Sequence, residues 1–432
     1  MKQREIKSSV LRRALVPAAG LLSILSAPAA WAGDATGKVA EAKQQPSGFF
    51  ADIRYRDERV SQDALTGKVA PLAADASTVR AKLGYQSGTY HGIGARVSAQ
   101  TLQTVGGGGY NSTTNGMTAY STVPDPVTTQ LDEAYLSYSG LDNTRFALGR
   151  QVVNLDNARF IGNVGWRQIE QTFNALTVVN TSLPDTRITA GEIVQVNRVF
   201  GDYSPHTSGP LAGKMKMHSP IVNVSYGGWQ YAQLTGYGYF LNYDPETLFT
   251  ANSTRTEGLR LKGSAPAGGV KLLYTAEYAS QSNYGTNPAS YHVGYNFVEA
   301  GVDAGLADFR AGREVLGADG RNHAFQTPLA TLHAFNGWAE MFLTKPGQGL
   351  KDTYYAAGTK IAAARLDAIY HSFRADQPTA AIGNFGNEWD FQATRKFYRR
   401  YTLGATFADF RTQNATLYAN TRRLWLWLAA AY

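Results

Sequence analysis

From Phe49 to the C-terminus, polar and apolar residues alternate one by one, the period of a β-strand with one apolar face. In the first run Ala51, Ile53 and Tyr55 lie on one side, and Asp52, Arg54 and Arg56 on the other. The split recurs with Val79, Ala81, Leu83 and Tyr85 against Arg80, Lys82 and Gln86, and with Ile93, Ala95 and Val97 against Arg96, Ser98 and Gln100. Later runs set Ala134, Leu136 and Tyr138 against Glu133 and Ser137, Leu259 and Leu261 against Arg260 and Lys262, and Leu366, Ala368 and Tyr370 against Arg365, Asp367 and His371. A soluble sandwich shows the same alternation. The connections separate the two architectures, because they alternate short and long along the whole chain. Tight links fall at Ser87-Gly88, Gly140–Asn143, Ser182–Asp185, Gly227-Gly228, Ala265–Gly268, Ala304-Gly305, Thr359-Lys360 and Phe397–Arg400. Long polar loops lie between them: Arg59–Ser77, Leu102–Thr128, Val152–Gln171, Asn197–Ser219, Asn242–Thr254, Gln281–Ser290, Val315–Lys351, Ala375–Gly386 and Thr412–Asn420. The pattern predicts an all-β, closed antiparallel transmembrane β-barrel of about eighteen strands, with both termini on the short-turn side and long loops outside.

The mean hydropathy of −0.28 is that of a soluble protein, but a barrel strand shows lipid only every second residue, so its average is near neutral. Counts of 44 Gly, 25 Tyr and 19 Phe with 17% charged residues suit crowded walls and interfacial aromatic girdles. The last run, Leu424, Leu426, Leu428, Ala430 and Tyr432, puts a terminal aromatic on the apolar face. This resembles the C-terminal signal read by barrel-insertion machinery, where Phe is commoner than Tyr.

Lys2, Arg4, Lys7, Arg12 and Arg13 precede an apolar stretch, Ala14–Ala30, that closes on Ala30-Trp31-Ala32. This reads as a cleavable signal peptide over residues 1–32, followed by a flexible periplasmic leader over 33–48 and the barrel over 49–432. Pro17 and Pro28 argue against a membrane anchor. The formal charge of +8 includes five basic residues and Glu5 in the signal, so the mature chain keeps +4, too mild and too dispersed for a nucleic-acid binder. With no cysteine, disulfides, thiolate metal sites and cysteine catalysis are excluded.

Two stretches carry more than composition. One runs from Leu148-Gly149-Arg150-Gln151 through Asn154-Leu155-Asp156-Asn157, Arg159-Phe160, Gly165-Trp166-Arg167-Gln168 and Glu170-Gln171-Thr172-Phe173 to Asn180-Thr181-Ser182-Leu183-Pro184-Asp185. The other runs from Glu314 through Phe325–His333, Phe335-Asn336-Gly337-Trp338, Phe342 and Gly349-Leu350 to Asp352. Both are similar to the alginate-export porin family, and the strand pattern extends that likeness over most of the mature chain. The resemblance implies a monomeric eighteen-stranded barrel in a Gram-negative outer membrane, whose arginine-rich lumen passes an acidic polysaccharide outward; relatives of that kind also import nutrients. From the residues alone, both stretches fall in long loops that carry Trp, Phe and Leu, so they are expected to fold inward and constrict the lumen. Thr331–Phe342 is expected to form a short helix capped by Thr331, although Asn336-Gly337 opposes it.

Parity places Arg54, Arg56, Arg80, Lys82, Arg96, Arg260, Lys262 and Arg365 on the lumen side, and Arg150, Arg159 and Arg167 in the first block are candidates for the narrowest part. Guanidinium groups in series offer bidentate sites that hand a carboxylate along without one deep well. Alternatively these cations pair with Asp52, Glu133, Glu277, Glu299 and Asp367 and stiffen the wall. Asp156 and Glu170 are expected to pair with neighbouring arginines, the alternatives being a counter-charge at the constriction or a divalent-cation ligand. Asp303, Asp308 and Asp319 lack calcium-loop spacing, and no metal site or cofactor is expected. An enzyme is disfavoured: no Gly-x-Ser-x-Gly elbow occurs, and among the seven histidines only His371 shares a strand face with an acid, Asp367, roughly 13 Å away. The expected function is a passive outer-membrane channel for an anionic polysaccharide or oligosaccharide, in the export direction. The alternative is a diffusion channel importing small acidic or neutral nutrients.

Overall fold

The computed structural model describes residues 47–432; the signal segment, its cleavage site and nearly all of the leader lie outside the described residues. The chain forms strands β1 (Gly48–Gln62), β2 (Ala74–Gln86), β3 (Ile93–Gly106), β4 (Thr128–Leu141), β5 (Thr144–Gln151), β6 (Thr172–Asn180), β7 (Thr186–Asn197), β8 (Lys214–Tyr226) and β9 (Ala232–Leu241). It continues through β10 (Thr254–Ala267), β11 (Val270–Asn283), β12 (His292–Asp303), β13 (Ala307–Leu316), β14 (Leu350–Ile361), β15 (Ala364–Arg374), β16 (Asn384–Phe397), β17 (Tyr401–Thr412) and β18 (Thr421–Ala431). Each strand pairs antiparallel with its sequence neighbour, and β1 closes on β18 from Asp52↔Ala431 to Gln62↔Thr421. The result is one closed 18-stranded barrel without an open edge. Closure satisfies every strand's backbone within the sheet, which a lipid surround requires.

The alternation of the sequence becomes an inside and an outside. Along β8 every second residue is buried, including Met215 and Met217, while Lys214, Lys216 and His218 face out. On β18 Trp425, Trp427 and Ala429 point inward, and Leu426 and Leu428 are exposed on the outer surface. Ile53, Leu83, Val97, Leu136, Leu259, Val298, Phe309, Tyr355 and Leu403 are exposed in the same way, giving the apolar outer belt of an outer-membrane β-barrel.

The long connections (63–73, 107–127, 152–171, 198–213, 242–253, 284–291, 317–349, 375–383 and 413–420) all leave one rim, and the short ones the other. The strands extend into several expected loops, and β1 starts one residue before the expected barrel boundary. The expected helix over Thr331–Phe342 is corrected: only a 3-10 turn, Leu332–Ala334, forms there. Asn336 (φ 58) and Gly337 (φ 85) take left-handed conformations, and a Cβ on Gly337 would sit 2.4 Å from a Glu388 oxygen. The chain must turn there to press against β16, so a helix cannot continue.

The principal apolar core lies in the lumen. Phe160, Phe325, Leu329, Trp338 and Phe342 from two loops pack with Tyr237, Tyr239, Tyr295, Phe373, Phe385, Phe410 and Trp425 from the wall.

Candidate functional site: a lumen crossed by two loops

The 152–171 and 317–349 loops fold inward and join each other. Ile161 and Leu329 form a parallel bridge, Gly162 N–H donates to the Leu329 carbonyl (2.9 Å), and Thr331 N–H donates to the Ala158 carbonyl (2.9 Å). Gln171 Nε2 donates to the carbonyls of Gly162 (2.9 Å) and Leu329 (3.1 Å).

The first loop crosses from wall to wall. Asp156 accepts from Asn223 of β8 (2.8 Å), and Arg159 makes a bidentate pair with Glu314 of β13 at 2.7 and 3.0 Å. The chain then returns to β1, where the carbonyls of Gly165, Trp166 and Arg167 accept from Arg54 and Arg56. Glu170 pairs with Lys82 of β2. The second loop anchors opposite: Trp338 N–H donates to Asp390 (3.1 Å), Ala339 N–H donates to Glu388 (2.6 Å), and the Phe342 ring lies 4.6 Å from that of Phe373.

The cations selected by parity do face inward, and β1 to β3 bring five of them together: Arg54, Arg56, Arg80, Lys82 and Arg96. Arg54 and Arg80 sit directly opposite in register, a repulsive placement by itself. Carboxylates offset it. Arg56 pairs with Asp125 (2.5 Å) and Glu58 (3.2 Å), Arg80 with Asp52, Lys82 with Asp132 (2.7 Å) and Glu170, and Arg96 with Glu133 (2.6 Å). Arg54 makes no ion pair among the described residues; it donates to Gln168 Oε1 (2.7 Å) and to the Gly165 (3.1 Å) and Arg167 carbonyls. Its charge is therefore held by neutral dipoles.

The remaining candidates are dispersed. Arg150 reaches Asp202 of the 198–213 loop with both Nη atoms (2.6 and 2.8 Å), and Arg260 pairs with Glu277 across β10 and β11 (2.8 Å). Lys262 follows Arg260 on the same strand face. Arg365 spans Gly358 to bind Asp308 (2.5 Å) and Asp367 (2.6 Å); a Cβ at Gly358 would occupy the place of its guanidinium. Arg167 binds Glu58 (3.1 Å) and Glu340. Of the two loop acids, Glu170 pairs with Lys82, whereas Asp156 makes no ion pair among the described residues and is held by Asn223 and Tyr239.

Burial alone would raise the Glu170 carboxyl, but Lys82 and Arg80 hold it below the usual range. Burial likewise works against an ionised Glu340, and Arg167 and Arg423 hold it low. The same burial pushes the His333 imidazole down to about 4 and keeps the Lys345 ammonium well below its ordinary range.

Several residues of this network receive no role from the sequence: Glu58, Asp125, Asp132, Glu340 and Arg423, together with Gln168, Glu314 and Asn336, which stand in the two motif blocks without one. Parity marks Glu58, Glu314 and Arg423 as inward, but their partners come from other strands or loops; Asp132 has the parity of the apolar side of β4 and is turned inward by the register shift opposite Ser98 and Ala99. Gln168 carries no charge to attract notice. His371, considered with Asp367 on its own strand, pairs with Asp352 of the neighbouring strand (2.9 Å).

A closed eighteen-stranded wall, an apolar outer belt and a polar, loop-crossed lumen define an outer-membrane barrel of porin architecture. No family model matches the chain, and no curated protein matches it. Solved structures share the fold. OpdK of Pseudomonas aeruginosa, determined with vanillate, is 12% identical with a TM-score of 0.66, covering 89% of this chain and 98% of that one. OccK9 (OpdG) of the same organism is 12% identical with a TM-score of 0.69 over 89% and 98%. OccAB4 of Acinetobacter baumannii is 13% identical with a TM-score of 0.67 over 90% and 99%.

Proposed function

We propose that this barrel is a passive, substrate-selective channel that admits small anionic solutes through the outer membrane of a Gram-negative bacterium. The observation that carries the reading is the pair of joined loops crossing the lumen beside the cation cluster of β1 to β3. With Arg159 and Phe325 fully buried at their centre, the remaining passage suits a small solute better than a thick polymer chain. Arg54, which makes no ion pair among the described residues, is the cation of that cluster left to attract an anion. The fold likeness to OpdK, determined with vanillate, a small aromatic carboxylate, supports the same size class.

A second reading, outward passage of an acidic polysaccharide such as alginate, is favoured by the two sequence blocks that resemble alginate-export porins; those blocks supply both crossing loops. Single-channel recording in planar bilayers separates the two. Small monocarboxylates should interrupt the current at low millimolar concentrations while long uronate oligomers have little effect. Block by oligomers growing stronger with their length would favour the polymer.

A further inference from the structure

We propose that the joint between the two crossing loops is a proton-released latch, with His333 as its trigger, so that mild acid widens the passage. The inference rests on reading these loops as the constriction of a channel, and it adds a means of control to that reading.

The imidazole of His333 is the wedge between the loops. It stacks on Trp166 of the first loop with ring centroids 4.1 Å apart and planes 5° from parallel. Trp425 of β18 meets both rings edge-on, at 5.4 Å from each. Nδ1 lies 3.0 Å from Glu340 of its own loop, while Nε2 is buried with no hydrogen-bond partner among the described residues. With Nδ1–H donating to Glu340, Nε2 carries only a lone pair, and a neutral ring fits. A second proton on Nε2 would have no acceptor.

The charges around the ring are already balanced. Arg167 comes from the first loop, Arg56 from β1 and Arg423 from β18. Facing them are Glu340 from the second loop, Glu58 from β1 and Asp125 from the 107–127 loop, linked as Arg167 to Glu58 and Glu340, Arg423 to Glu58 (3.0 Å) and Glu340 (3.2 Å), and Arg56 to Glu58 and Asp125. Asp390 and Glu388 of β16 reach this loop at the Trp338 and Ala339 amides, and His371 of β15 lies beside Asp390 (3.7 Å), away from the imidazole. Three guanidinium groups facing three carboxylates leave no counter-charge for an imidazolium. Its charge would be unpaired in a closed aromatic stack, where burial is costly.

The sign follows from linkage. The closed joint holds His333 down to about 4, whereas a histidine released into lumen water titrates near its ordinary value of about 6.5. Between those limits the released state binds the extra proton, so falling pH favours release and rising pH favours closure. Indoles freed from the stack also gain water, since Trp166 Nε1 and Trp425 Nε1 are buried without partners among the described residues.

The test uses the full mature protein in planar bilayers and reads the ratio of single-channel conductance at about pH 4.5 to that at about pH 7.5. The parent should give a ratio of at least about two, and His333→Phe, which keeps an aromatic wedge but cannot take a proton, a ratio near one. Ile161→Cys with Leu329→Cys places a disulfide across the loop joint in a chain without other cysteines. Oxidised, this variant should lose the acid response, and reduction should restore it in the same folded barrel. A flat parent, an acid response retained by His333→Phe, or one retained under the disulfide would each overturn the latch. Anion selectivity is read separately, from the reversal potential at pH 7.5. Its absence would overturn the proposed function while leaving the conductance ratio to judge the latch.

Discussion

Arg54 differs from the other cations of its cluster in what neutralises it. Arg56, Arg80, Lys82 and Arg96 each face a carboxylate, so removing one of their charges frees an acid as well. Arg54 faces an amide side chain and two carbonyls, so its replacement changes the field without releasing a buried acid. Arg54→Glu should shift the reversal potential in a salt gradient toward cation preference, whereas Arg54→Lys should nearly preserve it, separating field from guanidinium geometry. An unchanged potential in the glutamate variant would mean that Arg54 only fastens the first loop. Arg167 behaves differently, because Glu58 and Glu340 are both buried against it. Arg167→Ala should cost about 3–5 kcal/mol by stranding those carboxylates, measured as a lower urea midpoint of the refolded barrel. The less disruptive Glu340→Gln keeps a hydrogen-bond acceptor at that site and should cost less.

Among the elements, the 317–349 loop has most of its apolar weight indoors. Phe325, Leu329, Trp338 and Phe342 are essentially inaccessible to water, so this loop is packed as a core rather than as a surface connection. Deleting residues 325–342 should raise single-channel conductance severalfold while the barrel still closes, since the strand ladders of β13 and β14 do not pass through the deleted segment. Conductance equal to the parent's would place the constriction elsewhere. The first loop is held differently, chiefly by charge and by carbonyls accepting from wall arginines. Its apolar contacts include the Phe160 ring, 5.2 Å from Tyr237 and 5.5 Å from Tyr295, and the Trp166 ring against His333 and Trp425. The two loops therefore differ in expected sensitivity: because the first loop's ion pairs are buried, salt screens them little, and its anchoring should yield to removal of a single charge, whereas the second should yield to truncation of an aromatic side chain.

The whole molecule is an inverted globular protein, with lipid-compatible side chains outside and its densest packing in the lumen. Sheet closure between β1 and β18 makes the barrel one cooperative unit, so the folded form should migrate faster than the boiled form on a denaturing gel and lose that difference in a single step. The mature chain is expected to begin at Gly33 in the outer-membrane fraction, checked by mass spectrometry of its N-terminus; the intact N-terminus in a soluble fraction would contradict the export reading.

The barrel itself was legible in the order of residues, because strand alternation and turn spacing are local and each is repeated about eighteen times. Lumen-facing cations were legible for the same reason: once a strand's apolar side is known, Arg54, Arg80 and Arg365 must lie on the other. That the two aromatic loops turn inward followed from their composition. What they touch did not. The pairing of Arg159 with Glu314, of Arg167 with Glu340, and the stacking of Trp166 on His333 join residues more than 150 positions apart. No periodicity relates such residues, since the loops that carry them are aperiodic and meet only after the wall has closed. The helix expected over Thr331–Phe342 failed on the same ground: apolar spacing suggested a helical face, but β16 offers Glu388 and Asp390 to the amides of Ala339 and Trp338, and the chain bends at Asn336-Gly337 to reach them. Local pattern therefore determined the wall and which side of it each residue faces, whereas only tertiary contact decided which charges neutralise one another and which are left to act on a passing solute.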